Sequence, residues 1–313
     1  MTGSQMSKTG ELEIRPLEPR DEAEWRRLWT GYLDYYETKL PEAIYRLTFA
    51  RLLAGGPKEF RGRIALLDGK PVGLVHFLFH RSSWKVEEVC YLQDLYTDPD
   101  VRGQGVARAL INRVYDEADS AGCPTVYWFT QDFNATARRL YDRIGVETPF
   151  LRYNRPAPFD TPSLRDDVMI RPPRPEDADA WRRLWQGYLT FYETRLPDAV
   201  TDATFTRLLS SDPDEMRCRV IEMEGRLVAL VHYVQHRHCW REEKVTYLQD
   251  LFSLPETRGM GLGRALIETV YAEADAAGAP SVYWLTARDN ATARQLYDRV
   301  GQLTPFIEYD RPE

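Results

Sequence analysis

The fold is decided by the stretch YLQDLYTDPDVRGQGVARAL (residues 91–110), where an apolar run leads through a glycine-containing turn into an amphipathic segment. The apolar run predicts a buried strand, and the last segment predicts a helix. A glycine-rich turn between a strand and a helix presents free backbone N–H groups at the positive end of the helix dipole, and such a turn binds phosphate. Glycine permits this because a Cβ would keep a ligand away from the backbone.

The letters of the turn restrict the class of phosphate ligand. GQGVAR lacks the last glycine of the dinucleotide fingerprint GxGxxG, because Arg108 stands there, and the GKS or GKT of a P-loop is absent. An alternative is that the glycines only shape a tight strand-to-helix turn. The whole arrangement recurs later in the chain with the same flanking sequence, which argues against this alternative.

The recurrence is YLQDLFSLPETRGMGLGRAL (residues 247–266), and it belongs to a repeat of the whole chain. Adding 156 to a residue number of the first half gives its counterpart, from Ile14 to Pro156, without an insertion. A period of this length predicts two complete domains rather than a solenoid. We predict an N-terminal domain over residues 11–156 and a C-terminal domain over residues 168–313, joined by a proline-containing linker.

Within each copy, the hydrophobic pattern predicts the element order β-α-α-β-β-β-α-β-α-β. Trp25, Trp29, Tyr32 and Tyr36 recur at helical spacing. The pattern also predicts a strand over 86–97, a helix over 103–121 and a last strand over 150–153. An antiparallel meander followed by late strand–helix–strand units indicates the α/β class, with two domains that each contain a mixed, mostly antiparallel sheet flanked by helices.

Composition excludes several classes of protein. The net charge is −7, and the excess of acidic residues lies in the second half, so neither half has the basic surface of a nucleic-acid binder. We find no run of about 18 apolar residues that would predict a membrane helix. The N-terminal segment lacks the apolar core of a secretory signal, and we expect a cytoplasmic protein.

The cysteines and histidines do not predict a metal site. The four cysteines form no CxxC pair, and none has a cysteine counterpart in the other copy. His76 and His80 lie four residues apart on one strand, about 13 Å, which is too far for one ion. We therefore expect no metal, and we interpret Trp84 and Trp240 as packing residues.

The repeated motifs resemble those of the GNAT superfamily of acetyl-CoA-dependent N-acyltransferases. Arg102-x-x-Gly105-x-Ala107 and its counterpart Arg258-x-x-Gly261-x-Gly263 are similar to the pyrophosphate loop of that family. YWFTQDFNATARRLYDRIG (residues 127–145) and YWLTARDNATARQLYDRVG (residues 283–301) are similar to its later strand and helix. The resemblance covers nearly the whole chain, once per copy.

Within the superfamily, the quoted stretch is similar to that of spermidine/spermine N-acetyltransferases. Those carry Glu-Asp where this chain has Gln93-Asp94 and Gln249-Asp250. This departure disfavours polyamine substrates.

The resemblance implies acetyl-CoA as cosubstrate and a role for each matching residue. Backbone groups at the strand ends would pair with the pantetheine arm, at Leu95, Tyr96 and Thr97 and at Leu251, Phe252 and Ser253. Loop N–H groups would hold the pyrophosphate, at Arg102, Gly103, Gln104, Gly105, Val106 and Ala107 and at Arg258, Gly259, Met260, Gly261, Leu262 and Gly263. Asn134 and Asn290 would hydrogen-bond the pantetheine region, and Tyr141 and Tyr297 would protonate the departing CoA thiolate.

The acceptor side is less sharply indicated. Asp94 and Asp250 could hold or deprotonate an ammonium group, or they could cap a nearby turn. The region around Tyr36 and Glu37, repeated at Tyr192 and Glu193, often borders the acceptor site in this superfamily. The alternative there is a core aromatic residue followed by a solvated glutamate.

Taken together, these patterns predict a tandem N-acetyltransferase that transfers an acetyl group to a primary amine of a small molecule by direct attack, with tyrosine as general acid. Three alternatives stay open: a single catalytic half beside a structural or acyl-CoA-sensing half, a non-enzymatic binding module, and a protein-lysine acetyltransferase. We expect no nucleic-acid or membrane partner, and a monomer whose two halves pack as an internal pseudo-dimer.

Overall fold

The computed structural model describes residues 10–160 and 165–312, and the repeat of the sequence is a repeat of the structure. The elements of the first half are β1 (Leu12–Pro16), α1 (Glu22–Tyr35), α2 (Glu42–Ala54), β2 (Arg61–Leu67), β3 (Lys70–His80), β4 (Val89–Thr97), α3 (Val106–Ser120), β5 (Val126–Gln131), α4 (Ala135–Ile144) and β6 (Val146–Asn154). Those of the second half are β7 (Met169–Arg171), α5 (Ala178–Phe191), α6 (Asp198–Leu208), β8 (Arg217–Met223), β9 (Arg226–His236), β10 (Val245–Ser253), α7 (Leu262–Ala276), β11 (Val282–Ala287), α8 (Ala291–Val300) and β12 (Gln302–Asp310). The predicted element order and the α/β class are confirmed.

Two boundaries differ from the prediction for physical reasons. Helix α3 begins at Val106 rather than at residue 103, because Gly103 and Gly105 have positive φ angles of 81° and 87°, which a right-handed helix cannot contain. Strand β6 is longer than predicted and begins directly after Gly145, whose backbone is already extended. This added length matters because β6 reaches the other half.

The strands form one continuous sheet in the order β1-β2-β3-β4-β5-β12-β6-β11-β10-β9-β8-β7. The last strand of each half is exchanged: β12 pairs with β5 of the first half, and β6 pairs with β11 of the second. The two exchanged strands also pair with each other at the centre. Backbone hydrogen bonds therefore cross between the halves, while the domain boundaries stay a prediction.

Each half has a hydrophobic core on both faces of the sheet. The aromatic stripe of α1 packs on one face, and Trp25 and Trp29 are completely buried there. On the opposite face Trp128 of β5 lies under Tyr141 of α4 and parallel to Tyr309 of the exchanged strand β12. Burial of such large aromatic side chains is a main source of stability, about 2 to 3 kcal/mol each.

Two loops also cross reciprocally between the halves. The loop after β3 reaches the second half, where the Ser83 N–H donates to Gln249 Oε1 at 3.1 Å and Gln249 Nε2 donates to Ser82 Oγ at 2.8 Å. The loop after β9 reaches the first half, where the Cys239 N–H donates to Gln93 Oε1 at 3.2 Å. An amide both donates and accepts, whereas an ionised glutamate only accepts. Glutamine at these two positions thus suits the crossing loops.

The axis between the halves passes close to two stacked imidazole rings. The centroids of His80 and His236 lie 4.9 Å apart, and each Nε2 atom faces a tyrosine hydroxyl. Burial lowers the pKa of His80 to about 4 and that of His236 well below its ordinary value. Both rings are neutral at pH 7, so they stack without charge repulsion. None of the described helices has the length and apolarity that a membrane crossing requires.

Candidate active sites

A cavity opens in each half where two parallel strands diverge. Strand β4 pairs with β5 only from Cys90 to Leu92, but it continues to pair with β3 as far as Thr97. The cavity of the first half, about 600 Å³, lies in this fork. The fork of β10 and β11 holds a cavity of about 510 Å³. Backbone groups of the strand ends that point away from β3 or β9 therefore face a cavity rather than a strand.

Most of the predicted cofactor-binding residues and both predicted general acids line these cavities. In the first half they are Leu95, Tyr96, Thr97, Arg102, Gly103, Gly105, Val106, Ala107, Asn134 and Tyr141. In the second half they are Leu251, Phe252, Ser253, Arg258, Gly259, Gly261, Leu262, Gly263, Asn290 and Tyr297. Gln104 and Met260 are not among the lining residues, although their neighbours in the same loops are.

The glycine loop has the geometry of an anion cradle. A Cβ added at Gly103 or Gly105 would meet no atom within 4 Å, so both positions border open space. Gly105 precedes α3 and supplies no side-chain cap, which leaves the first N–H groups of the helix for a ligand. Cationic side chains of Arg108, Arg139 and Arg143 complete the wall. These features fit the pyrophosphate of acetyl-CoA. Sequence reasoning missed the two arginines of α4, whose signal was their position one turn apart beside the predicted tyrosine.

Asn134 and Asn290 cap helices in addition to lining the cavities. Asn134 Oδ1 accepts the Ala137 N–H at 3.2 Å and so caps α4, while its Nδ2 donates to Thr130 Oγ1 at 3.2 Å. Asn290 does the same for α8. The second N–H of each amide has no assigned acceptor among the described residues. The asparagine therefore holds the helix and still offers one donor to the cavity.

Tyr141 and Tyr297 present a protonated hydroxyl to the cavities. Burial raises the pKa of each well above the ordinary tyrosine value. Among the described residues, no hydrogen bond involves either hydroxyl, and the rings are fixed against Trp128 and Trp284. Each residue is thus a fixed donor at neutral pH.

Asp94 and Asp250 are buried behind the cavity walls and line neither cavity. Asp94 is 0% exposed and accepts bonds from His76 Nδ1 at 2.8 Å, Trp29 Nε1 at 3.2 Å and Trp240 Nε1 at 3.0 Å. Burial alone would raise the pKa of Asp94, but the bonding and charge of its neighbours, first of all His76, hold that pKa below its ordinary value. His76 Nε2 accepts the Trp25 indole N–H at 2.9 Å. The hydrogen of the imidazole is therefore on Nδ1, which donates it in the hydrogen bond to Asp94.

The second half repeats this arrangement, except that a serine hydroxyl takes the place of the helix tryptophan as one of the three donors. Asp250 accepts from His232 Nδ1 at 2.9 Å and from Trp84 Nε1 at 2.9 Å, and also from the Ser83 hydroxyl. Direct contact of either aspartate with an ammonium has no support in this geometry, because the carboxylates are enclosed by donors. Trp84 and Trp240 are not only packing residues, since each donates to a carboxylate of the other half.

The predicted substrate residues divide into two groups. Tyr36 and Tyr192 line the cavities. Glu37 and Glu193 are exposed and lie outside both linings, because each occupies a left-handed turn position, φ 51° and φ 50°, just after its helix. The structure therefore does not bring these two glutamates to an acceptor.

One side-chain cluster has the composition of a metal site. Ligand atoms of His76, Asp94 and Cys239 lie within 4.8 Å of one another. Burial, followed by the charge of Asp94, raises the pKa of the Cys239 thiol well above its ordinary value, so the thiol keeps its proton. The Asp94 oxygens already accept three hydrogen bonds. This donor set does not suit a cation.

Comparison with known proteins identifies the family. The model of the acetyltransferase (GNAT) family matches residues 25–146 and 178–302, which are most of the chain. The chain therefore belongs to the GNAT acetyltransferase family as a tandem member, and it is an acyltransferase.

Individual relatives support this assignment. The D-amino-acid N-acetyltransferase of Saccharomyces cerevisiae is 38% identical over 146 residues, which are 46% of this chain and 90% of that enzyme. The thialysine N-epsilon-acetyltransferase of Bos taurus is 34% identical over 76 residues, 24% of this chain and 44% of that enzyme.

Two solved structures share the fold of the whole chain. A GCN5-related N-acetyltransferase from Sphaerobacter thermophilus has a TM-score of 0.59 at 14% identity, with 96% of each chain covered. A tandem GNAT protein from the clavulanic acid biosynthesis pathway has a TM-score of 0.54 at 15% identity, with 97% of this chain and 100% of that one covered.

Proposed function

We propose that both halves are active sites that acetylate primary amines of small molecules with acetyl-CoA. The observation that carries this proposal is the coincidence, in each half, of a strand fork, a glycine loop and a tyrosine donor around one cavity. A half that served only as a scaffold would need no donor hydroxyl in its cavity. The yeast and bovine relatives are named for acetylation of amino-acid amines, which agrees with a small amine as acceptor.

The residues of each fork would hold the cosubstrate in three places. Loop N–H groups from Arg102 to Ala107 would bind the pyrophosphate, assisted by Arg108 and the arginines of α4. The free edge of Leu95 to Thr97 would pair with the pantetheine arm as an added strand would. Asn134 would donate its remaining N–H to the same arm. The second half has Arg258 to Gly263, Leu251 to Ser253 and Asn290 in the same places, but Gln295 stands where Arg139 does.

The chemistry assigned to the protein is positioning and hydrogen bonding. When bound, acetyl-CoA supplies an activated acetyl group as a thioester. The neutral amine forms the C–N bond, the C–S bond breaks, the nitrogen loses a proton and the sulfur gains one. A backbone N–H near Leu95 would stabilise the negative charge on the carbonyl oxygen. Tyr141, which keeps its proton at neutral pH, would donate to the sulfur as general acid.

The buried aspartates would act on the reaction through the strand. Asp94 lies next to Gln93, where the pairing of β3 with β4 is interrupted by a bulge between His76 and Phe77. Its bonds to His76 and Trp29 tie that bulge to α1. We assign Asp94 and Asp250 as positioning residues that hold the strand ends in the geometry of the fork.

The deciding experiment is calorimetric titration with acetyl-CoA of the wild type and of the variants Gly105→Glu and Gly261→Glu. Each substitution puts a carboxylate into one cradle, where it would repel the pyrophosphate. Gly122→Glu and Gly278→Glu are matched controls, because these glycines have similar positive φ angles, 68° and 67°, and open surroundings away from the cavities.

Two sites in the wild type, one lost with each cradle variant and none with the controls, is the expected result. A single site would leave one half as a scaffold. Two sites without CoA release from any amine would favour an acyl-CoA sensor, and release with lysine peptides alone would favour a protein acetyltransferase.

A further inference from the structure

The second half has an additional pocket beside its cofactor cavity, and both halves build it. This pocket of about 240 Å³ shares Tyr188, Tyr192, Gln249 and Leu285 with the cofactor cavity of the second half. The first half supplies further walls through its crossing loop, including Trp84. An amine held there would lie next to the thioester end of the fork, so we refer to it as the second acceptor pocket.

The acidic groups of this pocket are two carboxyl groups on the exchanged strand β12. Glu308 is 8% exposed, and its Oε2 accepts the Thr148 hydroxyl at 3.1 Å. Its Oε1 has no hydrogen-bond partner among the described residues. Burial, followed by the nearby charge of Asp310, raises the pKa of Glu308 to about 8, and burial raises that of Asp310 to about 6. A buried carboxyl group with an open oxygen is a ready partner for a cation.

Two cationic side chains and several aromatic rings surround the carboxyl groups. Arg152 acts on Glu308 and Lys85 acts on Asp310, and each favours the ionised carboxylate, yet neither forms an ion pair with it among the described residues. Aromatic rings of Trp84, Tyr188, Tyr192 and Tyr247 line the same space. A cation is attracted to aromatic faces as well as to carboxylates.

The corresponding place in the first half has the opposite charge. The repeat offset maps Glu308 to Arg152, Asp310 to Asn154 and Ser82 to His238. The counterparts of the four shared wall residues are Tyr32, Tyr36, Gln93 and Phe129, and all of them line the first cofactor cavity.

The Arg152 guanidinium is held in this mirror position by aromatic rings. It lies 4.3 Å from the ring centroid of Tyr283 and 4.8 Å from that of Phe129, and its Nε donates to Asn154 Oδ1 at 3.2 Å. Burial lowers the pKa of His238 to about 3, so His238 adds no charge at neutral pH. The first half therefore offers no carboxylate at the positions of Glu308 and Asp310.

We propose that the second half accepts amines with a second cationic group, bound by Glu308 and Asp310, and that the first half, which has Arg152 and Asn154 at these positions, does not select such amines. The inference rests on the proposed function, and it names the acceptor class of the second site. It also links the strand exchange to substrate selection, because Glu308 and Asp310 lie on an exchanged strand.

The test compares three amines of equal length: 1,4-diaminobutane, 4-amino-1-butanol and 4-aminobutanoate. Each is assayed for CoA release with Gly105→Glu, which leaves the second half, and with Gly261→Glu, which leaves the first. In the second half we expect kcat/KM for the diamine to exceed that for the amino alcohol by about 10-fold or more, since a buried ion pair is worth that much. Glu308→Gln should abolish the preference by lowering kcat/KM for the diamine. In the first half, which lacks both carboxyl groups, the diamine should have no advantage over the amino alcohol, with or without Arg152→Gln.

The same panel is titrated calorimetrically without acetyl-CoA, which separates this inference from the proposed function. Turnover by both halves with the same order of preference would overturn the inference alone. Charge-selective binding without turnover would support the inference and overturn the proposed function. Binding that ignores charge, together with no turnover, would overturn both. Thermal unfolding of Glu308→Gln and Arg152→Gln confirms that each variant is folded before its preference is scored.

Discussion

The two halves share their tyrosine, asparagine and aspartate arrangements and differ in the charge of their exchanged strands and at one cavity position, where Arg139 corresponds to Gln295. The helix caps Asn134 and Asn290 have the same ψ angle of 65°, and the two buried aspartates lie 2.8 Å and 2.9 Å from their histidines. The exchanged strands, in contrast, carry Arg152 in one half and Glu308 in the other. A buried hydrogen-bond network tolerates little change, because any unpaired member costs about 1 to 3 kcal/mol. A pocket wall that faces ligand and water has more freedom, so the halves could diverge there.

The largest effect is expected when one tyrosine hydroxyl is removed at a time, which tests whether the two halves are independent active sites. Tyr141→Phe should lower kcat of the first half about 100- to 1,000-fold, because a general acid is lost, and Tyr297→Phe should do the same for the second half. Acetyl-CoA affinity should change less than two-fold in both variants. The rates are measured in the Gly261→Glu and Gly105→Glu backgrounds. Loss of all turnover on Tyr297→Phe alone would show that the halves are not two independent active sites.

A pH series sharpens the difference between the exchanged strands. The Glu308 pKa is about 8 in the folded protein and near 4.5 in an unfolded chain. Between pH 4.5 and pH 8, Glu308 is therefore protonated in the folded state and ionised in the unfolded state. Stability from this group is complete below pH 4.5 and is lost as the pH rises to 8. Relative to the wild type, the unfolding free energy of Glu308→Gln should therefore rise by about 4 kcal/mol between pH 4.5 and pH 8.5.

The stability difference is measured by urea unfolding at each pH, with the exposed-strand variant Glu13→Gln as control. Asp310 and Arg152 act on Glu308, and Lys85 acts on Asp310; all three are left unchanged in both proteins. A difference that does not grow with pH would show that Glu308 is ionised in the folded protein at neutral pH.

The reciprocal loops offer a smaller test of how far each half depends on the other. Trp84→Phe removes the donor to Asp250 Oδ1 and leaves a buried carboxylate with one partner fewer, which should cost about 2 kcal/mol of unfolding free energy. Activity should fall in the second half although the changed residue belongs to the first. Trp240→Phe is the matched control and should act on the first half only. An effect confined to the half that contains the substitution would contradict this cross-half support.

The smallest effects are expected at the exposed glutamates. Glu37→Gln and Glu193→Gln should each change KM for the amine less than two-fold, since both side chains lie outside the cavities. Steady-state kinetics with the preferred amine of each half is the measurement. A rise of 10-fold or more would restore these residues as substrate contacts, as the sequence predicts.

The helices, the glycine loop and the tandem organisation could be predicted from the sequence, because their signals are local or repeated. Helical spacing of tryptophans and tyrosines predicted α1, and the glycine turn between an apolar run and an amphipathic segment predicted the loop before α3. The 156-residue offset identified the tandem organisation. These signals depend on neighbours along the chain, so a linear pattern is enough to find them.

The acceptor side depended on contacts that no linear pattern contains. Asp94 and Trp240 are 146 residues apart, and Glu308 reaches Thr148 across 160 residues. Comparing charges at the repeat offset would have picked out Arg152 and Glu308, but not the pocket that Glu308 lines. The sequence by itself determined the fold of each half and the cofactor loop, because local periodicity and backbone conformation specify them. Only the tertiary structure decided which half completes which pocket, because strand exchange is set by hydrogen bonds between distant segments.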